Sequence, residues 1–346
     1  MMNQSVEVLF KLIRIALGNE DDFSLPNVVN WQEVYELSLK QEVGAIACDG
    51  LLTLGDCGID ELLKYKWVGQ SMVIERKSEK QWCSVCQLAD LYAQHGVRTN
   101  VLKGFSFADY YPHPFHRPSS DIDICLLDDF EKGNQIVEKK GVVVDRSENV
   151  HSTFYFEEVH VENHQFCVRI KGSNRYKQME LYLERLLRDG GVCIGTTSLI
   201  KPSWLFNALF FMCHARVHFL IEEGITLKYL CDWILLKAEG VKEKNIDIFW
   251  LECEKSGLLK FAKAIDEVAE YVKGCNILSE SGQLMVQDII HTKSHKQCNN
   301  KVKAYLNILN TIWNNRWKYN LYSDITAVRA IMIYVYGYMF DRNPQI

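Results

Sequence analysis

The sequence predicts an α+β protein in which a small mixed sheet is flanked by helical regions on both its N-terminal and C-terminal sides. Three observations predict this. Apolar residues recur at helical spacing through the first 95 residues. The pattern then changes to short β-branched runs between about residues 96 and 172, and helical spacing returns from Ser203 onward. The expected division is a helical region over 1–95, a sheet-bearing core over 96–195 and a helical domain over 196–346. With 346 residues, 48% hydrophobic and 24% charged, the chain has an ordinary globular composition and can bury a sizeable core.

Val6, Leu9, Phe10, Ile13 and Leu17 mark an amphipathic first helix. Pro26 breaks the chain, and helices follow over 31–39 and 43–54. Residues 61–94 read as one long helix or two in succession, with Gly96 as the stop just past the end. Strands are expected over 97–102, 121–126 and 142–145, with a helical turn over 106–111 and a helix over 128–140. Residues 154–158 and 160–169 alternate as an antiparallel pair. An amphipathic helix over 177–187 is broken by Gly190 and Gly191. Further helices are expected over 204–222, 227–236, 246–256, 258–272, 283–291, 302–317 and 325–339. The Tyr- and Trp-rich C-terminal segments read as core, and no repeat or low-complexity linker separates the units.

A formal net charge of −5 offers no overall footprint for an anionic membrane or for long nucleic acid. No uninterrupted apolar run reaches the roughly 18 residues of a membrane span, and the N-terminus lacks the small-residue cleavage site of a signal peptide. The cysteines stand singly in apolar segments, among them Cys48, Cys125, Cys167, Cys213 and Cys231. This fits buried thiols and a cytoplasmic location. Cys83 and Cys86 have CxxC spacing but lie in a helical stretch with no preceding strand and no second CxxC, so buried or half-buried thiols are expected.

The chemistry concentrates in VLKGFSFADYYPHPFHRPSSDIDI at 101–124 and VHVENHQ at 159–165. Alternation along a strand puts Asp121 and Asp123 on one face and Ile122 and Ile124 on the other. Two neighbouring carboxylates repel, so either a cation lies between them or both face water at a sheet edge. Glu162 and His164 likewise share a face. His151 opens the hairpin and reads as structural. His214 and His218 share a helical face, with no carboxylate between them in an HExxH arrangement and apolar neighbours around them. They read as packing residues.

LKG at Leu102 to Gly104, YYP at Tyr110 to Pro112, and Arg117 followed by SDIDI resemble the uncharacterised nucleotidyltransferase family, a branch of the polymerase-beta-like nucleotidyltransferase superfamily. VHVENHQ is similar to that family's carboxylate–x–His strand. The stretch at 211–233 resembles the helical segment after its catalytic core, and 41–52 resembles its N-terminal helical part. One departure stands out: Phe105 follows Gly104 where the superfamily carries Gly-Ser or Gly-Gly, and a Tyr-Pro-rich insertion separates this turn from Asp121.

The resemblance implies a nucleotidyltransferase-like core that moves a nucleoside monophosphate from a nucleoside triphosphate to an acceptor hydroxyl with Mg²⁺ or Mn²⁺. Such a transfer is catalysed largely by positioning and charge stabilisation, and hard oxygen ligands suit these ions. Asp121, Asp123 and Glu162 are the expected metal ligands and catalytic residues, with Glu162 helping to deprotonate the acceptor. Gly104 would let backbone approach the triphosphate, and Lys103 or Arg117 would neutralise phosphate charge. Ser106, Ser120, His164, Lys228 and Asp232 complete the expected substrate-binding set. The acceptor is a small molecule, a sugar, an RNA end or a protein. The alternative is a catalytically inactive nucleotide- or partner-binding module on the same fold, in a toxin-like or regulatory setting.

Overall fold

The computed structural model describes residues 3–19, 24–147, 150–168, 174–222, 224–275, 277–292 and 301–340, without the side chains of 301–304 and 337–340. The chain opens with α1 (Gln4–Ala16), α2 (Trp31–Lys40) and α3 (Gly44–Leu54). The Asn3 side chain caps α1 by accepting from the Ser5 N–H, and Asn30 caps α2 through the Glu33 N–H. α4 (Glu61–Gln94) is a single helix of 34 residues, started by Asp60 accepting from the Leu63 N–H. Cys83 on this helix is exposed and Cys86 half-buried. The expectation of two shielded thiols therefore fails for Cys83, whose face of the helix nothing covers.

The sheet region comprises β1 (Thr99–Leu102), α5 (Gly104–Ala108), β2 (Ile122–Cys125), α6 (Phe130–Glu138), β3 (Val144–Asp145), β4 (His151–Phe156), β5 (Val159–His164), α7 (Asn174–Asp189), β6 (Val192–Cys193) and β7 (Leu199–Lys201). It is one mixed seven-stranded sheet in the order β3-β4-β5-β2-β1-β7-β6. β2 runs parallel to β5 and β1 parallel to β7, while β1 and β2 are antiparallel. β4 and β5 form a hairpin whose turn residues, Glu157 and Glu158, both have positive φ (48° and 64°), as a two-residue primed turn requires.

The second hairpin strand, expected to reach residue 169, ends at His164. Beyond it the N–H groups of Gln165 and Phe166 both turn to the Val150 carbonyl, which takes them out of the ladder. Arg169 lies outside the described residues. β6 and β7 carry no strand expectation, because two and three residues give too little alternation to read. They add two strands beside β1, and residue 195 falls in their connection.

Alternation divides the sheet. Val101, Ile122, Ile124, Phe154, Val159 and Val161 pack with Val85, Leu88 and Tyr92 of α4 and Ile136 and Val137 of α6. The opposite face, with Leu102, Asp123, Cys125 and His164, turns toward α8 (Trp204–Ile221). α8 averages a hydropathy of 1.3, enough by composition for a membrane span, but it is 67% buried by the surrounding protein and serves as a core helix.

Around it stand α9 (Leu227–Lys242), α10 (Ile246–Ser256), α11 (Leu259–Val272), α12 (Glu280–His291), α13 (Lys301–Asn314), α14 (Arg316–Tyr322) and α15 (Ala327–Phe340). The first helices share this core: Phe10 packs edge-on to Tyr271 at 6.1 Å. The buried Gln41 amide donates to Ile289 O at 3.0 Å and accepts from Leu227 N–H at 3.0 Å. The two helical ends of the chain are thereby joined behind the sheet.

α1 and α3 meet at Gly50, where a β-carbon would stand 2.0 Å from the Leu12 carbonyl oxygen. Gly69 sits mid-helix on the exposed side of α4 with no atom within 4 Å. Gly50→Ala is therefore expected to lower the unfolding free energy by about 1–3 kcal/mol through overpacking. Gly69→Ala is expected to raise it by about 0.5–1 kcal/mol. Urea denaturation of both variants checks the contrast; an equal effect at the two positions would refute the close packing of α1 on α3.

Candidate functional site

β2 and β5 lie side by side in parallel, with Asp123 level with Glu162. Strand period then sets Asp121, Asp123, His160, Glu162 and His164 on one face, and His151 of β4 stands level with His164. This face forms one wall of a cleft of about 770 Å³ whose other wall is α8. Ligand atoms of Asp121, His160 and Glu162 all lie within 4.8 Å of one another, and so do those of His151, Glu162 and His164.

Asp123 is 3% exposed, yet it stays ionised. Its Oδ1 accepts from Lys103 Nζ at 2.8 Å and from His164 Nε2 at 2.8 Å. Burial raises the carboxyl pKa, but these two cations outweigh it and hold Asp123 well below the usual range. His164 Nε2 also lies 3.5 Å from Glu162 Oε2. Burial opposes the imidazolium, and the bonds to Asp123 and Glu162 overcome it, pushing His164 up to about 9. For Lys103, burial is likewise outweighed by Asp123, with Asp121 and Glu162 adding to the pull. Asp121 feels Lys103 without a direct ion pair to Lys103 or His164 among the described residues, and it goes the other way. Burial and then Asp123 raise its pKa, with Lys103 and a 2.8 Å hydrogen bond from Ser120 only partly offsetting them. One wall thus holds three carboxylates in graded states of compensation.

Lys103 comes into place through an unusual turn. Lys103 has φ +44° and Gly104 φ +28°, and a β-carbon on Gly104 would meet Ser119 Oγ at 3.4 Å. The turn swings the Lys103 amine back over the end of β2. There it also donates to His214 Nε2 at 2.9 Å, and His218 Nε2 lies 3.0 Å farther along α8. His218 Nδ1 in turn stands 3.0 Å from Glu222. His214 and His218 are therefore lining residues of the cleft, linked through Lys103 to Asp123.

The other expected residues divide. Gly104, Arg117, Ser120, Lys228 and Asp232 line the cleft. Lys228 pairs with Glu42 at 2.9 Å, joining α9 to the turn before α3. Arg117 and Asp232 pair with each other: Nε and Nη2 donate to the two carboxylate oxygens at 2.7 Å each, and Tyr111 Oη adds a 2.8 Å bond. Arg117 is 8% exposed and Asp232 3%, so each is spent on locking the 111–117 segment to α9. Ser106 does not reach the cleft. It is fully buried and donates to Asn207 at 2.8 Å, joining α5 to α8.

Sequence reasoning passed over His160, although the two-residue period that paired Glu162 with His164 reaches it directly. Ser119 was also passed over; it lines the cleft and donates to the Asp121 carbonyl at 2.8 Å. Glu222 and Tyr229 carried no local signal, since only the fold of α8 and α9 against the sheet brings them here.

The family model described as uncharacterised nucleotidyltransferase matches residues 27–272. Neither a curated protein nor a solved structure matches the chain.

The buried Arg117–Asp232 pair makes a sharp prediction. Asp232→Ala, which strands a buried guanidinium, is expected to cost about 3–5 kcal/mol, whereas Arg117→Met/Asp232→Leu recovers most of that loss. Chemical denaturation of the single and double variants measures it. A double variant no more stable than the single one would show that something other than an uncompensated charge governs this contact.

Proposed function

Because the chain belongs to the uncharacterised nucleotidyltransferase family, we propose that the cleft transfers a nucleoside monophosphate from a nucleoside triphosphate to an acceptor hydroxyl: the acceptor oxygen bonds to the α-phosphorus, the α–β phosphoanhydride bond breaks and pyrophosphate leaves. The observation that carries this reading is the convergence of Asp121 and Glu162, from neighbouring parallel strands, to within ligand-sharing distance beside Asp123. The donor set fits a divalent cation. Asp121 and Glu162 offer carboxylate oxygens, while Asp123 stands beside them with its Oδ1 held by Lys103 and His164. The adjacent His160 nitrogen favours Mn²⁺ over Mg²⁺, which prefers oxygen. Bound there, the cation supplies positive charge for the phosphoryl oxygens.

The residues of the chain do the rest. The Lys103 ammonium, raised in pKa by its carboxylate neighbours, remains charged at neutral pH and faces the phosphates together with Gly104, Ser119 and Ser120. Glu162 accepts the acceptor's proton. His164 keeps Asp123 and Glu162 apart and oriented. A cleft of this volume suits a small-molecule acceptor better than a polymer. The cytoplasm supplies the nucleotide.

One observation favours a second reading, a nucleotide-binding module without turnover. The Lys103 ammonium already compensates Asp123 from within the acidic wall and competes with a metal for it.

The test is incubation of the full-length protein with each α-labelled nucleoside triphosphate, Mn²⁺ or Mg²⁺, and a cell extract. Label transfer is expected, at least as fast with Mn²⁺ as with Mg²⁺, and abolished by EDTA and in Asp121→Ala/Asp123→Ala. Glu162→Gln should slow it by at least about 100-fold. Nucleotide binding in calorimetry without any transfer would favour the module; no nucleotide or metal binding by a folded protein would sink both readings.

A further inference from the structure

The cleft continues round the flank of α8 into a second lobe that the transfer chemistry leaves unused. Arg216 stands there, 8% exposed, facing α7, the end of α10 and α14. Its Nη1 donates to the Gly257 carbonyl at 3.2 Å and its Nη2 to the Tyr176 hydroxyl. Among the described residues no carboxylate is ion-paired with it. Glu180, the buried acid on α7, instead accepts from the N–H groups of Cys167 (2.9 Å) and Val168 (2.7 Å). Asp324 is paired with Arg175 at 3.3 Å.

Beside Arg216 lies the phenol of Tyr319, 2% exposed, whose hydroxyl has no hydrogen-bond partner among the described residues. The Tyr176 hydroxyl accepts from Arg216 and keeps its own proton to donate. A buried guanidinium without a counter-charge and the buried Tyr319 phenol without a partner are both costly. One oxyanion satisfies all of them. Between this lobe and the carboxylates the walls are Cys167, Val168, Met179, Cys213 and Val217, which offer an apolar path.

We infer that Arg216, Tyr319 and Tyr176 form an oxyanion pocket for the acceptor, a small molecule that carries a carboxylate or phosphate on an apolar body. This rests on the reading of the carboxylate end as the transfer site. The nucleotide phosphates are met at that end by Lys103, Gly104, Ser119 and Ser120, which leaves the Arg216 lobe to the other substrate. Ile312, Tyr319, Ser323, Ile325, Ala330 and Ile333 of this lobe lie beyond residues 27–272, so the pocket is built in part by chain outside the family match.

The experiment is calorimetry on the full-length protein with 3-phenylpropionate, its uncharged amide and phenyl phosphate, each titrated with and without saturating nucleotide and Mn²⁺. The acid or the phosphate should bind at least about tenfold more tightly than the amide, a difference of about 1.4 kcal/mol. Which anion binds better identifies the group. Arg216→Gln should erase the difference. Because that variant also loses two native bonds, Tyr319→Phe provides the second check. It removes a hydroxyl without a partner, so the melting temperature should hold or rise while anion affinity falls. Equal binding of acid and amide, anion binding unchanged in Tyr319→Phe, or displacement of the anion by nucleotide would each overturn the proposal. Nucleotide binding without anion binding removes the pocket alone; anion binding without nucleotide binding removes the transfer reading and leaves an oxyanion pocket of another purpose.

Discussion

The structure of this site depends on one shared oxygen. Asp123 Oδ1 takes a hydrogen bond from Lys103 and another from His164, and each of those donors is tied elsewhere, to His214 of α8 and to Glu162 of β5. Three carboxylates on one face, Asp123 buried and Asp121 and Glu162 half-buried, would otherwise repel one another where charge is more expensive than in water. Two cations reduce that cost and, because they come from β1's turn and from β5, they also fix the relative positions of β1, β2 and β5. Asp121, at the open end of the same face, has weaker compensation and a raised pKa. The acidic wall is therefore graded, closed by protein at one end and open to a ligand at the other.

A second buried pair performs the same service for the helical layer. Arg117 and Asp232, with Tyr111, fasten the turn-rich segment between α5 and β2 to α9. Lys228 and Glu42 fasten α9 to the N-terminal helices. Gln41 joins those helices to α12. The cleft thus lies between a sheet face and a helix set by polar contacts across more than a hundred residues of sequence. The apolar core beneath α8 supplies the bulk of the burial.

Much of this was legible residue by residue. The period change near Val97, the alternation of Asp121–Ile122–Asp123, and Glu162 with His164 all follow from local pattern, because a strand sorts its side chains into two faces whatever it packs against. The helices were legible for the corresponding reason. β6 and β7 were not, being too short to show a period, and the end of β5 was overrun because the residues beyond it continue to alternate while their N–H groups turn to Val150. Arg117 and Asp232, both expected in the substrate-binding set, line the cleft and are paired with each other, a partnership that spacing along the chain does not reveal. Ser106, two residues past Gly104, was drawn into the buried joint with Asn207 instead.

What the sequence by itself determined is the alphabet of the site: which carboxylates share a face, where the glycine turn falls, and that helices surround a small sheet. Those properties are set by periodicity and backbone preference within a few residues. Only the tertiary structure decided which charges compensate which. The pairing of Lys103 with Asp123 and His214, the locking of Arg117 to Asp232, and the stranding of Arg216 beside Tyr319 all arise between segments distant in the chain. Electrostatic pairing depends on distance in space and on burial, and neither is encoded in spacing along the chain.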